Sequence, residues 1–219
     1  MHGSTALMDD FVASAPRDTR VDLAALPTHL ADYSELAAHF GNALRLTPDS
    51  ILIAESFSGP LAIMLAERFA ARALILCNTF VKAPYYRALG LFPLALVARV
   101  PSPAFLLRYF IVGARAPDAV VNQVRRAVAT VPAKVMAERA RSALRVDATL
   151  ELARCTCPIL YLRGTEDHVI REWSVDAVTR AATVPVAVAR IAGPHLLLKM
   201  SPRESWSAIE TFLDGASTG

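Results

Sequence analysis

Short, uninterrupted apolar runs alternate with amphipathic segments along most of this 219-residue chain, and that alternation limits the fold more than any other feature. Five runs predict strands: residues 20–26, 50–54, 73–77, 158–163 and 184–191. The first has the weakest pattern. The others are short, mostly continuous and partly β-branched, as strands covered on both faces are. Helical spacing fills the intervals at residues 30–44, 60–70, 171–181 and 201–213. In the second of these, Leu61, Met64, Leu65 and Phe69 share one face. Ser201-Pro202-Arg203-Glu204 is a helix start, with Pro at the first helical position and Glu at the third. Strand and helix in alternation predict an α/β fold: a mostly parallel sheet flanked by helices.

Residues 83–150 break the rhythm. They carry no strand pattern, and Pro93, Pro101, Pro103, Pro117 and Pro132 divide them into helical pieces. The reading is a helical insertion between strands, with residues 1–82 and 151–219 forming the core. A hydrophobic content of 54% against 20% charged residues supports a sizeable core and excludes disorder. The net charge of +3 comes from scattered basic residues, without the stripe or patch a nucleic-acid binder needs. Three cysteines make no disulfide framework, and Cys155 and Cys157 read as small, semi-buried residues entering a strand rather than as metal ligands. A reducing, cytoplasmic setting is expected, since the first residues have neither the basic nor the apolar region of a signal peptide. Residues 88–112 are apolar, but prolines and Arg99 and Arg108 make them a poor spanning helix.

The chemistry begins at Ala54-Glu55-Ser56-Phe57-Ser58-Gly59. Here a strand runs straight into a helix with Ser56 at the turn. A turn that sharp needs small residues two before and two after the serine, and Ala54 and Ser58 meet that need. The turn also sets Ser56 at a helix N-terminus, where N–H groups favour a developing oxyanion. A plain N-cap serine is the bland alternative.

A serine hydroxyl needs a base, and the base an orienting group. Asp167 follows the strand at 158–163 in Gly164-Thr165-Glu166-Asp167, at the carboxyl end of a parallel strand where α/β sites gather. Glu166 competes with it. His195 follows the last strand in Gly193-Pro194-His195. His29 and His39 read as surface residues, and His168, beside the acid, is badly placed to reach Ser56. Each of the three residues alone could be an ordinary loop residue. Together they stand in the order Ser, Asp, His, each at the end of a different strand.

With these motifs the chain resembles the α/β-hydrolase superfamily, and its elbow is similar to that of a bacterial branch of small esterase-like proteins. The resemblance spans nearly the whole chain and implies an α/β-hydrolase fold with residues 83–150 as a helical cap. It implies Ser56, Asp167 and His195 as catalytic triad. His2-Gly3 is similar to the family's oxyanion loop, so the backbone N–H groups of Ser4 and Phe57 would be the oxyanion donors. The family's loop follows strands that have no counterpart before His2, so unpaired sheet edges or a closed-up sheet are expected. Aromatic residues of the cap, Tyr85, Tyr86, Phe92 and Phe105, would line an apolar acyl pocket. The implied activity is hydrolysis of small-molecule carboxylic esters with an apolar acyl group, without metal or organic cofactor. Thioesterase, amidase and acyltransferase activities fit the same residues. An inactive, ligand- or partner-binding relative and one half of a domain-swapped assembly are the alternatives of another class.

Overall fold

The computed structural model describes residues 5–85 and 103–216. A 3-10 turn at Thr5–Leu7 leads into helix α1 (Asp9–Ala13) and, after an irregular stretch, α2 (Tyr33–Ala43). Strand β1 (Ile51–Glu55), helix α3 (Ser58–Phe69) and strand β2 (Ala73–Cys77) follow. Next come α4 (Ala104–Leu107), a π-helical turn (Arg108–Val112), α5 (Asp118–Ala129), α6 (Ala133–Ala143) and α7 (Thr149–Arg154). Strand β3 (Ile159–Gly164), α8 (Glu172–Ala181), β4 (Val186–Ile191), α9 (Leu197–Met200) and α10 (Pro202–Ala216) close the chain. The sheet has the order β1-β2-β3-β4, all neighbours parallel, and helices cover both faces.

The continuous apolar runs are explained by two cores. Leu74 and Leu76 of β2 join Ile63, Leu152, Ile159, Tyr161 and Val178 on one face. Ala73, Ile75 and Cys77 point the other way, onto Phe11, Leu162, Trp206 and Ile209. Alternate residues therefore enter different cores, and neither face of β2 has room for a polar side chain.

Strand register decides where chemistry gathers. Glu55 is paired with Cys77, Cys77 with Leu162, and Leu162 with Ala189, so the carboxyl ends of the strands stand nearly level. The residues that leave those ends, Ser56, Asn78 and the loops after β3 and β4, share one rim.

Four of the five expected strands form. Residues 20–26 do not: the described chain has no regular structure between residues 19 and 27. Val21 packs on the same core as Ile51 and Ile53, yet residues 21–24 and β1 both line a cavity of about 1610 Å³. A strand forms only where its backbone groups find a partner, and among the described residues the stretch 20–26 joins no strand of the sheet. Among the described residues, the outer edge of β1 is unpaired. The expected helix at 30–44 starts at Tyr33 because the Asp32 carboxylate accepts the Ser34 N–H at 2.8 Å as its N-cap. Asp32→Ala is expected to destabilise the protein by about 1 kcal/mol at pH 7. Hydrogen bonding to Ser34 holds the Asp32 carboxyl below its ordinary value. The contribution is thus complete above pH 3.8 and fades as the pH falls through the lowered folded-state value, which urea denaturation at neutral and acid pH will measure.

The two ends of the segment between β2 and β3 lie side by side: the Ala83 N–H donates to Val146 O, and the Ala148 N–H to Val81 O, both at 2.9 Å. Arg139 of α6, fully buried, donates to the carbonyls of Leu30 and Pro27 and ties the insertion to the loop before α2.

Candidate active site

Ser56 has φ +57°, the left-handed conformation a sharp strand-to-helix turn forces on its central residue. In a residue with a Cβ this is strained by about 1–3 kcal/mol and persists only where its surroundings hold it. They do so here on both sides. The Ser56 N–H extends the sheet ladder to Cys77 O at 3.0 Å, and Ser56 O accepts from the Gly59 N–H at 3.1 Å and from the Thr79 hydroxyl. Ala54 is buried, as the turn requires. The position with least space is Gly59 rather than Ser58: a Cβ on Gly59 would lie 1.9 Å from Thr79 Oγ1.

His195 follows β4 and is 4% exposed. Its Nε2 lies 2.8 Å from Ser56 Oγ, and its Nδ1 lies 3.1 Å from each carboxylate oxygen of Asp167. The Asp167 side chain is fully buried. Its Oδ1 accepts the N–H groups of Val169 (2.7 Å) and Ile170 (3.1 Å), and Arg163 Nη1 stands 3.3 Å from Oδ2. A carboxylate so surrounded is fixed in orientation before it meets the imidazole. The competitors are elsewhere. Glu166 is exposed, and His168 is exposed and stacked on Tyr109 with ring centroids 4.4 Å apart. His29 and His39 are exposed.

Phe57, buried, is the N-cap of α3; its N–H has no hydrogen-bond acceptor among the described residues, while its carbonyl accepts the Tyr33 hydroxyl at 2.9 Å. Ser4, the other expected oxyanion donor, lies outside the described residues; Thr5 lines the same cavity as Ser56. Tyr86 and Phe92 also lie outside them. Tyr85 and Phe105 do not line that cavity. Phe105 is 68% exposed, whereas its neighbours Leu106 and Phe110, themselves 38% and 40% exposed, line the cavity. The Tyr85 hydroxyl is held by Val169 O instead.

Sequence reasoning missed Glu55. Its carboxylate accepts the Leu198 N–H at 3.0 Å and the Cys77 thiol at 3.6 Å. Burial pushes its pKa up, opposed by the Leu198 N–H and the nearby His195. Burial also raises the Cys77 and Cys157 thiols and pushes Cys155 up to about 12. All three cysteines are buried and unpaired with one another. None is expected to react with a maleimide at pH 7–8 in the native state, since only the thiolate attacks; mass spectrometry before and after denaturation checks this. Among the described residues, no group of three or more His, Cys, Asp or Glu is placed to hold a metal ion, and no helix is long and apolar enough to cross a membrane.

Known proteins resemble this arrangement. The sequence profile of the alpha/beta hydrolase family matches residues 2–204. No curated protein matches the chain in sequence. Among solved structures, the enol-lactonase of Burkholderia xenovorans is similar with a TM-score of 0.78 at 16% identity, over 97% of this chain and 88% of that one. A thermophilic esterase from Thermogutta terrifontis gives 0.68 at 23% identity, over 88% and 75%. A bromoperoxidase from Bacillus anthracis gives 0.69 at 14% identity, over 88% and 78%. Such likenesses establish the fold and leave the reaction open. With its parallel sheet, its strand-to-helix serine turn and a family profile matching almost from end to end, this chain belongs to the alpha/beta hydrolase family.

Proposed function

We propose that the protein is a serine hydrolase that cleaves small-molecule carboxylic esters through an acyl-enzyme on Ser56. The observation that carries this reading is the continuous hydrogen-bond chain from Ser56 Oγ through His195 to Asp167, with contacts of 2.8 and 3.1 Å. In this reading His195 Nδ1–H donates to Asp167, which leaves Nε2 as acceptor. Nε2 takes the Ser56 proton as Oγ attacks the ester carbonyl. The buried Asp167 carboxylate stabilises the imidazolium. The Phe57 N–H donates to the oxyanion, with the Ser4 N–H as its expected companion. The imidazolium then gives its proton to the leaving alcohol. Water, deprotonated by His195, attacks the acyl-enzyme and returns Ser56 with the acid product.

Residues 83–150 serve as the cap over the serine in this reading, with Leu106 and Phe110 in the wall of its cavity. The apolar wall favours an apolar acyl group. Two of the similar structures are an enol-lactonase and an esterase, and ester cleavage is the chemistry this proposal shares with them.

A fluorophosphonate probe is expected to label one serine, found by mass in the peptide that contains Ser56. A well-folded protein that takes no label would sink the proposal. Activity on p-nitrophenyl esters of increasing acyl length reads the pocket. The matching thioester and anilide separate esterase from thioesterase and amidase.

A further inference from the structure

Two residues at the carboxyl end of β2, Asn78 and Thr79, touch all three arms of the site and are fully buried. The Asn78 amide uses every hydrogen-bonding position it has. Its Nδ2 donates to Pro194 O at 3.0 Å and to His195 O at 2.9 Å, on the loop after β4. Its Oδ1 accepts the Gly164 N–H at 2.8 Å and Arg163 Nη1 at 3.4 Å, where β3 turns towards Asp167. The opposite amide orientation would set NH₂ against the Gly164 N–H and oxygen against two carbonyls, so the network leaves one choice. Next in the chain, the Thr79 hydroxyl donates to Ser56 O. Thr79 is held in turn by Tyr161, whose hydroxyl accepts the Thr79 N–H at 3.0 Å and donates to Thr79 O at 2.6 Å.

The backbone supports the same arrangement. Asn78 has φ +40°, a conformation asparagine tolerates better than most residues with a Cβ. A Cβ on Gly164 would lie 2.7 Å from Gly193 O, 2.8 Å from Pro194 O and 2.9 Å from Asn78 Nδ2. The acid loop, the histidine loop and the Asn78 amide converge on that glycine.

We propose that Asn78 and Thr79 are the positioning residues of this site, a clamp that sets the distances among Ser56, Asp167 and His195 without touching the substrate. The three reacting groups leave three different strands, and no covalent constraint fixes their spacing. Rotation of the histidine loop by a fraction of an ångström would weaken both contacts of the imidazole. The proposal rests on the assignment of Ser56, Asp167 and His195 as the reacting groups.

The test compares Asn78→Ala, Asn78→Asp, Thr79→Val and Thr79→Ser in the full chain with a p-nitrophenyl ester. Asn78→Asp keeps the size and the acceptor but loses both donors to the histidine loop. Either Asn78 variant is expected to lower kcat by about 10–100-fold, the cost of misplaced reacting atoms. KM should move much less, since the ester-binding wall is untouched. The low-field proton resonance of His195 Nδ1–H should broaden or move upfield, which simple destabilisation of a folded protein would not cause. Thr79→Val is expected to lose turnover that Thr79→Ser, with its hydroxyl, recovers. Should Asn78→Ala not fold, Asn78→Asp and the Thr79 pair give the same decision. Folded variants with unchanged kcat and an unchanged His195 resonance would overturn the proposal. If Ser56→Ala itself keeps full activity, the assignment of the reacting groups fails instead.

Discussion

Ser56→Ala is expected to lower kcat for ester hydrolysis by about 10⁶-fold, leaving a residual rate about 10³–10⁴-fold above that in water. The size follows from how the groups are joined. In the proposed mechanism, removing Oγ removes the nucleophile, and His195 Nε2, 2.8 Å away, then has nothing to deprotonate. His195→Ala should therefore cost nearly as much, and the double variant no more than either single one. Asp167→Asn should lose about 10⁴-fold. The reason is visible in the partners of the carboxylate. Oδ1 accepts two backbone N–H groups, so an amide at this position keeps its oxygen there and turns its NH₂ towards His195 Nδ1. Nδ1 must then accept, the proton moves to Nε2, and the imidazole can no longer take the serine proton. Initial rates and fluorophosphonate labelling of the three single variants and the double variant measure this. A Ser56→Ala enzyme as fast as the wild type would place the chemistry elsewhere.

Gly59→Ala is expected to cost about 3 kcal/mol or more, at the upper end for an overpacked site. The added methyl would meet Thr79 Oγ1 at 1.9 Å, Cγ2 at 2.6 Å and Cβ at 2.7 Å. Thr79 cannot turn away, because it is branched at Cβ and pinned through its backbone to Tyr161. Either α3 must shift, which moves Ser56, or β2 must, which opens the sheet. Thermal unfolding should show a midpoint lowered by about 6–12 °C for a chain of this size. Thr79→Ala in the same chain should recover part of the loss, since it removes two of the three colliding atoms. An additive double variant would mean that the two residues do not press on one another.

Much of this was readable along the chain. β2 and β3 were visible because they are buried on both faces and so are apolar at nearly every position, whereas β1 and β4, only partly buried at the sides of the sheet, were visible as short apolar, partly β-branched runs. The serine turn was visible because its small neighbours are adjacent in sequence. Asp167 and His195 were found as residues at strand ends in the right order. Between Asp167 and Glu166 the sequence offered only spacing. The difference is one of burial: one carboxylate points into the rim and the other into solvent. Residues 20–26 carry a strand's composition, yet composition cannot supply a hydrogen-bonding partner. Tyr85 and Phe105 were aromatic and in the right segment, but one residue of helical phase separates Phe105 in solvent from Leu106 in the cavity wall.

Asn78 and Thr79 gave no signal that pattern reading uses. They look like two polar residues after a strand, and their partners are 23 to 117 positions away. Local chemistry, a residue's own propensity and that of its near neighbours, is written in the chain, and it settled the four strands that form and the serine turn. The spacing of Ser56, His195 and Asp167 depends on strand register and on side chains meeting across the sheet. These are long-range contacts, and they exist only once the sheet has assembled.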